Sequence, residues 1–160
     1  GISQKSFYKN TVLEEVVIPE SVKTYEYRAF YKCTSLKRVV LPDGIKAIPS
    51  GMFSGCDQLA KINLPDSIQS IGTQAFSSCT KLNLGSLTLK CTLGNKCFYG
   101  VSFDTLTIDN AVLSSGLAGA KIKKLILAEG LKTIEKDAEI IISIIPTQRD
   151  EIMIKCLEET

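Results

Sequence analysis

Residues 36–56 read LKRVVLPDGIKAIPSGMFSGC, and residues 59–79 read LAKINLPDSIQSIGTQAFSSC. The two stretches carry the same residue types at the same spacing, and both end in the pattern Phe-x-x-Cys. An earlier copy ends in the same way, so that Phe30, Phe53 and Phe76 are each 23 residues apart. A fixed period of about 20–25 residues is typical of solenoids, in which each repeat stacks on the next. The period therefore predicts a solenoid.

Each repeat predicts one short strand and a compact return. The Leu-x-x-Val-x-Leu stretch from Leu36 to Leu41 places apolar residues at period two, which indicates a short strand with one buried face. Pro42 follows at once and ends the strand, because proline has no N–H to donate to a sheet. Farther on, apolar residues recur three apart, as at Ile45 and Ile48, which favours a turn or 3₁₀ return segment.

The strand pattern recurs along most of the chain. Its spacing is 23 residues at first and falls to 19 after Leu87, and Ala138 is the last residue in phase. We predict about six strand-bearing coils, with strand centres at Val16, Val39, Ile62, Leu87, Leu106 and Leu125. Residues 1–138 are thus expected to form the solenoid, with a partial coil at the N-terminus. Residues 139–160 are expected to form a C-terminal cap, as a strand and helix, or an irregular tail.

The repeat resembles the BspA-like class of leucine-rich repeats, because the Pro, the Ala-Phe pair and the Cys all recur in phase. The resemblance covers Phe7 to Ala138 and is densest from Leu13 to Leu82. It implies a right-handed, leucine-rich-repeat-like stack of short parallel β-strands with turn or 3₁₀ return segments. It also implies a cell-surface or secreted protein that binds host or microbial partners and is not an enzyme. No signal peptide is recognised in the sequence, so this expected location comes from the resemblance alone.

The composition argues against several other classes of function. The chain has no His, which removes the commonest general base and the commonest neutral metal ligand. We therefore expect no catalysis, no cofactor and no metal site. A net charge of +2 gives no footprint for nucleic acid. The longest apolar run, around Ile140 to Ile145, is too short to span a bilayer, so no membrane insertion of this segment is expected.

The cysteines of the repeat are expected to serve packing. Cys33, Cys56 and Cys79 occupy equivalent positions, so they should form a column with one thiol per coil. Coils are about 4.8 Å apart, the spacing of strands, whereas the Cβ atoms of a disulfide are about 3.8 Å apart. We interpret the column as buried free thiols. Asn10 occupies the same position in the first, partial coil.

The outward residues of the strands form the candidate binding site. On a strand, the neighbours of buried residues point to the opposite face, and stacked coils would align them in two columns. The first column is Glu15, Arg38, Lys61, Ser86, Thr105 and Lys124, and the second is Val17, Val40, Asn63, Thr88, Thr107 and Ile126. The second column is mostly β-branched, which also simply suits an exposed sheet.

Two functions are compatible with such a surface. One is a non-catalytic binding or adhesion module that engages a protein or glycan through this sheet face, as repeat proteins do with extended surfaces. The alternative is a structural spacer or stalk in a larger surface protein, with the partner-binding part elsewhere.

Overall fold

The computed structural model describes residues 1–109, 112–128, 133–134 and 141–142. These residues form twelve short strands, which are β1 (Glu15–Val17), β2 (Arg38–Val40), β3 (Ala47–Ile48), β4 (Lys61–Ile62), β5 (Ser70–Ile71), β6 (Ser86–Leu89), β7 (Thr92–Leu93), β8 (Ser102–Ile108), β9 (Val112–Leu113), β10 (Lys121–Leu127), β11 (Thr133–Ile134) and β12 (Ile141–Ile142). A single 3₁₀ turn, Ser115–Leu117, lies among them. The chain thus folds as a β-solenoid.

Every pairing between these strands is parallel, as a stack of coils requires. One sheet has the order β1-β2-β4, and a second has the order β6-β8-β10-β12. Val39 lies opposite both Val16 and Ile62, and Leu106 lies opposite both Leu87 and Leu125. These are the six strand centres expected from the sequence, and the predicted parallel solenoid is confirmed.

The return segments contain the expected turns and also a second set of strands. The N–H of Ile45 donates to the carbonyl of Pro42, and the N–H of Cys56 donates to that of Phe53, so both segments turn through i to i+3 bonds. Between these turns, β3, β5 and β7 form a parallel sheet of their own, and β9 pairs with β11. The second set of strands was not predicted. Two-residue strands have no measurable alternation, so the spacing of Ile45 and Ile48 gave only the turn.

The strand sheet is divided where the repeat length changes. β4 and β6 are not paired among the described residues, so the two sheets meet at this point. The step from Ile62 to Leu87 is 25 residues, two more than the step before it. The added residues carry Asn83 into an isolated bridge with Ser102, ahead of β6. Each of the two outward columns predicted from the sequence is therefore divided into two groups of three residues, one group on each sheet.

Stacked phenylalanine rings fill the centre of the solenoid. Phe30, Phe53, Phe76 and Phe98 are fully buried, and their successive ring centroids are 5.5, 5.5 and 5.6 Å apart with nearly parallel planes. The column ends at Phe103 of β8, whose ring meets that of Phe98 edge to face at 5.3 Å. No polar or charged side chain is buried in the described part of the chain. The Phe positions of the repeat are therefore core positions.

The C-terminal segment is described in part. Ile141–Ile142 pairs in parallel with Lys121 and Ile122 of β10, so a strand is present where the sequence placed the cap strand. The predicted cap helix after Pro146 lies outside the described residues. The boundary at residue 138 stays a prediction.

Candidate binding surface

The predicted sheet-face residues come together in register within each sheet. In the first sheet, Arg38 lies opposite Glu15 and Lys61, and Val40 lies opposite Val17. In the second sheet, Thr105 lies opposite Ser86 and Lys124, and Thr107 lies opposite Thr88 and Ile126. All twelve side chains are exposed or partly exposed. The structure therefore places these residues on one side of their strands, in two groups of six.

The first sheet presents a charged column beside a column of two valines and Asn63. The guanidinium of Arg38 forms an ion pair with the carboxylate of Glu15 on the neighbouring coil. Lys37 and Glu14, one residue earlier on each coil, pair at 3.0 Å. Val17 is 62% exposed, which is high for a large apolar side chain. An apolar strip beside paired charges is a typical composition for the edge of a protein–protein interface.

Asn63 is exposed on the sheet face, and its side chain also connects two coils. Its side-chain oxygen accepts the N–H of Leu41 at 2.7 Å, and its side-chain nitrogen donates to the carbonyl of Leu41 at 2.8 Å. β4 ends at Ile62, so the side-chain amide of Asn63 holds the backbone of Leu41 just beyond the end of the strand. The alternation of residues along the strand predicts Asn63 only as an outward residue. A contact between coils cannot be read from its spacing.

A shallow depression lies at the edge of the first sheet, towards the segment that leads into β6. Its volume is about 450 Å³. It is lined by the sheet-face residues Arg38, Val40, Lys61 and Asn63, by Val39, Ala60 and Ile62, and by Asn83 and Leu84 of the connecting segment. Four of the twelve predicted residues thus surround one concave feature, formed where the division of the sheet leaves β4 without a strand partner on that side.

The cysteine column is a packing feature in the described residues. Cys33, Cys56 and Cys79 are fully buried free thiols, as the sequence predicted. Each Sγ atom donates to the carbonyl of a phenylalanine in the preceding coil, at 3.0 to 3.2 Å. Burial raises the pKa of Cys79 to about 12, so that this thiol is protonated at neutral pH. A protonated buried thiol is a poor nucleophile and a poor metal ligand.

In the partial coil, Asn10 occupies the position of the repeated cysteine and makes different contacts. Its side-chain oxygen accepts the N–H groups of Val12 and Leu13, at 2.9 and 2.8 Å. The position therefore supports polar contacts with the backbone. Among the described residues, no group of three or more His, Cys, Asp or Glu side chains is placed to hold a metal ion.

A second surface was missed by the sequence analysis. We call it the basic aromatic surface, and it consists of Lys5, Tyr8, Lys9, Arg28, Tyr31 and Lys32. In the first two coils a Lys or Arg stands two residues before Phe, a Tyr directly after it and a Lys two residues after it. Alignment of the coils on Phe7 and Phe30 would have revealed this pattern, which the search for core positions passed over.

Among the described residues, no helix is long and apolar enough to cross a membrane. The parallel strands of the solenoid and its exposed sheet face define the class of protein, which is a leucine-rich-repeat solenoid. The family model of the BspA type leucine rich repeat region matches residues 1–118 in six copies. The chain belongs to this family.

Three solved structures of bacterial proteins are similar to this chain. The leucine-rich repeat protein of T. pallidum has a TM-score of 0.59 and 20% identity, over 88% of this chain and 82% of that one. A leucine-rich repeat protein from Bacteroides ovatus has a TM-score of 0.46 and 15% identity, over 87% of this chain and 68% of that one. A leucine rich cell surface protein from Faecalibacterium prausnitzii has a TM-score of 0.45 and 18% identity, over 84% of this chain and 57% of that one. At these identities the likeness concerns the fold. No curated protein matches the chain.

Proposed function

We propose that this protein is a non-catalytic binding module that engages a protein or glycan partner through its sheet face. The observation that carries the proposal is the depression lined by Arg38, Val40, Lys61 and Asn63. It combines apolar surface with two cations in a concave site: the ammonium group of Lys61 and the guanidinium of Arg38, which also pairs with Glu15. Such a combination suits recognition, since a few polar groups fix the orientation of a ligand against apolar walls.

The proposal extends to location and role. Repeat modules of this family are typically not enzymes, and the chain has no His to act as a general base at neutral pH. We propose in addition a location at the cell surface or among secreted proteins and a role in adhesion, which membership of this family supports.

The test uses arrays of immobilised extracellular-matrix proteins and uncharged oligosaccharides, probed with the 160-residue protein. The binding-face variant carries Val40→Glu, Thr88→Glu and Thr107→Glu, which place charge on three exposed or partly exposed positions. We expect at least a tenfold loss of signal on every array component that wild type retains. The matched control carries Gln69→Glu, Thr73→Glu and Thr80→Glu, at three exposed positions off the sheet face, and should bind as wild type does.

Circular dichroism should be the same for the three proteins. Equal capture by wild type and the binding-face variant would refute binding through the sheet face. Retention of no component by wild type would refute the module hypothesis and favour the alternative of a structural spacer.

A further inference from the structure

The four cations of the basic aromatic surface have a backbone conformation that is unfavourable for residues with a side chain. Lys5, Lys9, Arg28 and Lys32 have φ values of 58°, 56°, 55° and 54°. This left-handed region favours glycine, because a Cβ atom crowds the backbone there. Of the seven described non-glycine residues with positive φ, five are Lys or Arg. A cation at these positions carries a conformational cost that a glycine would avoid.

In the next coil, glycine occupies the positions equivalent to two of these cations. Gly51 and Gly55 are the equivalents of Arg28 and Lys32, with φ values of 63° and 75°. A Cβ built on Gly51 would lie 3.0 Å from Cγ of Arg28, and one built on Gly55 would lie 2.8 Å from Cγ of Lys32. The two glycines therefore leave room for the aliphatic stems of the two cations, which lie along the surface of the following coil.

The charged groups are held against tyrosine rings. The rings of Tyr8 and Tyr31 stack with their centroids 5.1 Å apart. The guanidinium of Arg28 lies 4.7 Å from the ring centre of Tyr27 and 4.9 Å from that of Tyr31. Lys5 and Lys9 lie 5.5 and 5.3 Å from the ring centre of Tyr8, and Lys32 lies 5.5 Å from that of Tyr31. These are cation–π distances, and they limit the freedom of the charged groups.

No carboxylate forms an ion pair with this surface in the described structure. The four acidic residues among residues 1–33 all have other partners. Glu14 pairs with Lys37, and Glu15 pairs with Arg38. Glu20 accepts the N–H of Asp43, and Glu26 accepts the N–H of Gln4, each at 2.7 Å. Within the described residues, the four cations form no ion pair, so positive charge is concentrated here although the whole chain has a charge of only +2.

We propose that the basic aromatic surface is a second binding site, and that its ligand is an acidic polysaccharide. The cations form two rows, Lys5 with Arg28 and Lys9 with Lys32, that flank the stacked hydroxyl-bearing rings of Tyr8 and Tyr31. The rows advance once per coil, in step with the stacked rings, whose centroids are 5.1 Å apart. Ammonium, guanidinium and phenol groups together donate hydrogen bonds to carboxylate or sulfate oxygens.

Two other anionic partners fit less well. Single-stranded nucleic acid binds by stacking bases on open aromatic faces, but one face of each of Tyr8 and Tyr31 is covered by the other ring, and Lys or Arg groups lie close to both rings. An anionic membrane surface attracts a polybasic segment in proportion to its charge, and four cations are at the low end of such clusters. A polar chain of charged sugars needs neither stacking on open rings nor apolar insertion.

The test measures the affinity of the 160-residue protein for heparin and polygalacturonate by isothermal titration calorimetry, with dextran as the uncharged probe. The variant is Arg28→Gly with Lys32→Gly, which copies Gly51 and Gly55 of the next coil and should preserve the fold. We expect at least a tenfold loss of affinity for one or both acidic probes, and no binding of dextran. Affinity of the wild type should fall as salt rises, because the contact is between charges.

The control Lys46→Gln with Lys81→Gln removes the same charge at two exposed positions outside both surfaces, and we expect less than a twofold loss. Equal losses in control and variant would refute a localised site, as would unchanged affinity of the variant. Binding of oligo-dT or of phosphatidylserine vesicles as tight as that of the acidic glycans, with the same dependence on Arg28 and Lys32, would refute the polysaccharide assignment.

A second variant pair separates the phenol groups from the rings. Tyr8→Phe with Tyr31→Phe keeps the stacked rings and removes the two hydroxyl groups. We expect a two- to fivefold loss of heparin affinity with an unchanged melting temperature. A gain of affinity would contradict the part of the proposal that assigns these hydroxyl groups to the ligand.

Discussion

The thiol of Cys56 donates a hydrogen bond to the backbone carbonyl of Phe30 in the preceding coil, with 3.1 Å between Sγ and O. The same carbonyl also accepts the N–H of Cys33, at 3.2 Å. Cys33 and Cys79 repeat the first contact with Phe7 and Phe53. The Phe-x-x-Cys pattern is thus a device that joins successive coils, with the phenylalanine filling the core and the cysteine closing the turn above it.

Cys56→Ala should destabilise the protein by about 1–3 kcal/mol. The Phe30 carbonyl keeps the Cys33 N–H as a partner, so most of the cost is the cavity left by a fully buried sulfur. Urea unfolding followed by circular dichroism measures the change. Thr80→Ala, at an exposed position in the next coil, is the control and should change stability by less than about 0.5 kcal/mol. A Cys56→Ala protein as stable as this control would contradict the packing interpretation.

Phe53→Ala should cost about 3–5 kcal/mol of unfolding free energy. Its ring is fully buried between those of Phe30 and Phe76, 5.5 Å from each, so truncation opens a cavity in the middle of the column. Phe7→Ala is the matched comparison, because Phe7 stacks on Phe30 but is 38% exposed. Truncation there should cost about 1–2 kcal/mol less than at Phe53. Equal losses at the two positions would show that the column does not depend on burial.

Asn63→Ala should destabilise the protein by about 1–3 kcal/mol, because it removes both hydrogen bonds to the backbone of Leu41. Thermal and urea unfolding measure the loss. Thr88→Ala is the control, since this exposed sheet-face residue lies on the second sheet. If Asn63→Ala weakened partner binding without any loss of stability, its role between the coils would be excluded and its role at the surface favoured.

The sequence predicted those features that repeat in phase. Val39, Ile62 and their equivalents lie in the predicted register, because alternation and period are properties of the chain itself. The contact of Asn63 with Leu41 could not be predicted, since it depends on where β4 ends and on how two coils align. The division of the sheet was missed for the same reason. The second set of strands does repeat in phase, with Ile48, Ile71 and Leu93 in register, but two residues are too few to show the alternation of a strand.

The candidate surfaces also contain features that the sequence predicts and features that it does not. Outward positions such as Val17 and Val40 could be listed from alternation alone, and the structure places them opposite each other. The depression that unites Arg38 with Asn63 could not be predicted, because it forms where the regular stack is interrupted. Function therefore has to be sought at departures from the repeat as well as along its regular face.

The stability contributed by Cys79 should decline as the pH rises above about 8.5, the ordinary pKa of a thiol. Burial, with a smaller effect of the Asp57 carboxylate, raises the pKa of Cys79 to about 12 in the folded protein. The unfolded chain therefore releases this proton first, and rising pH favours unfolding. Between pH 8 and pH 10 the stability advantage of wild type over Cys79→Ala should shrink by about 2 kcal/mol. Urea unfolding of both proteins at the two pH values measures the difference. An advantage that stays constant would show that the thiol ionises equally in the folded and unfolded states.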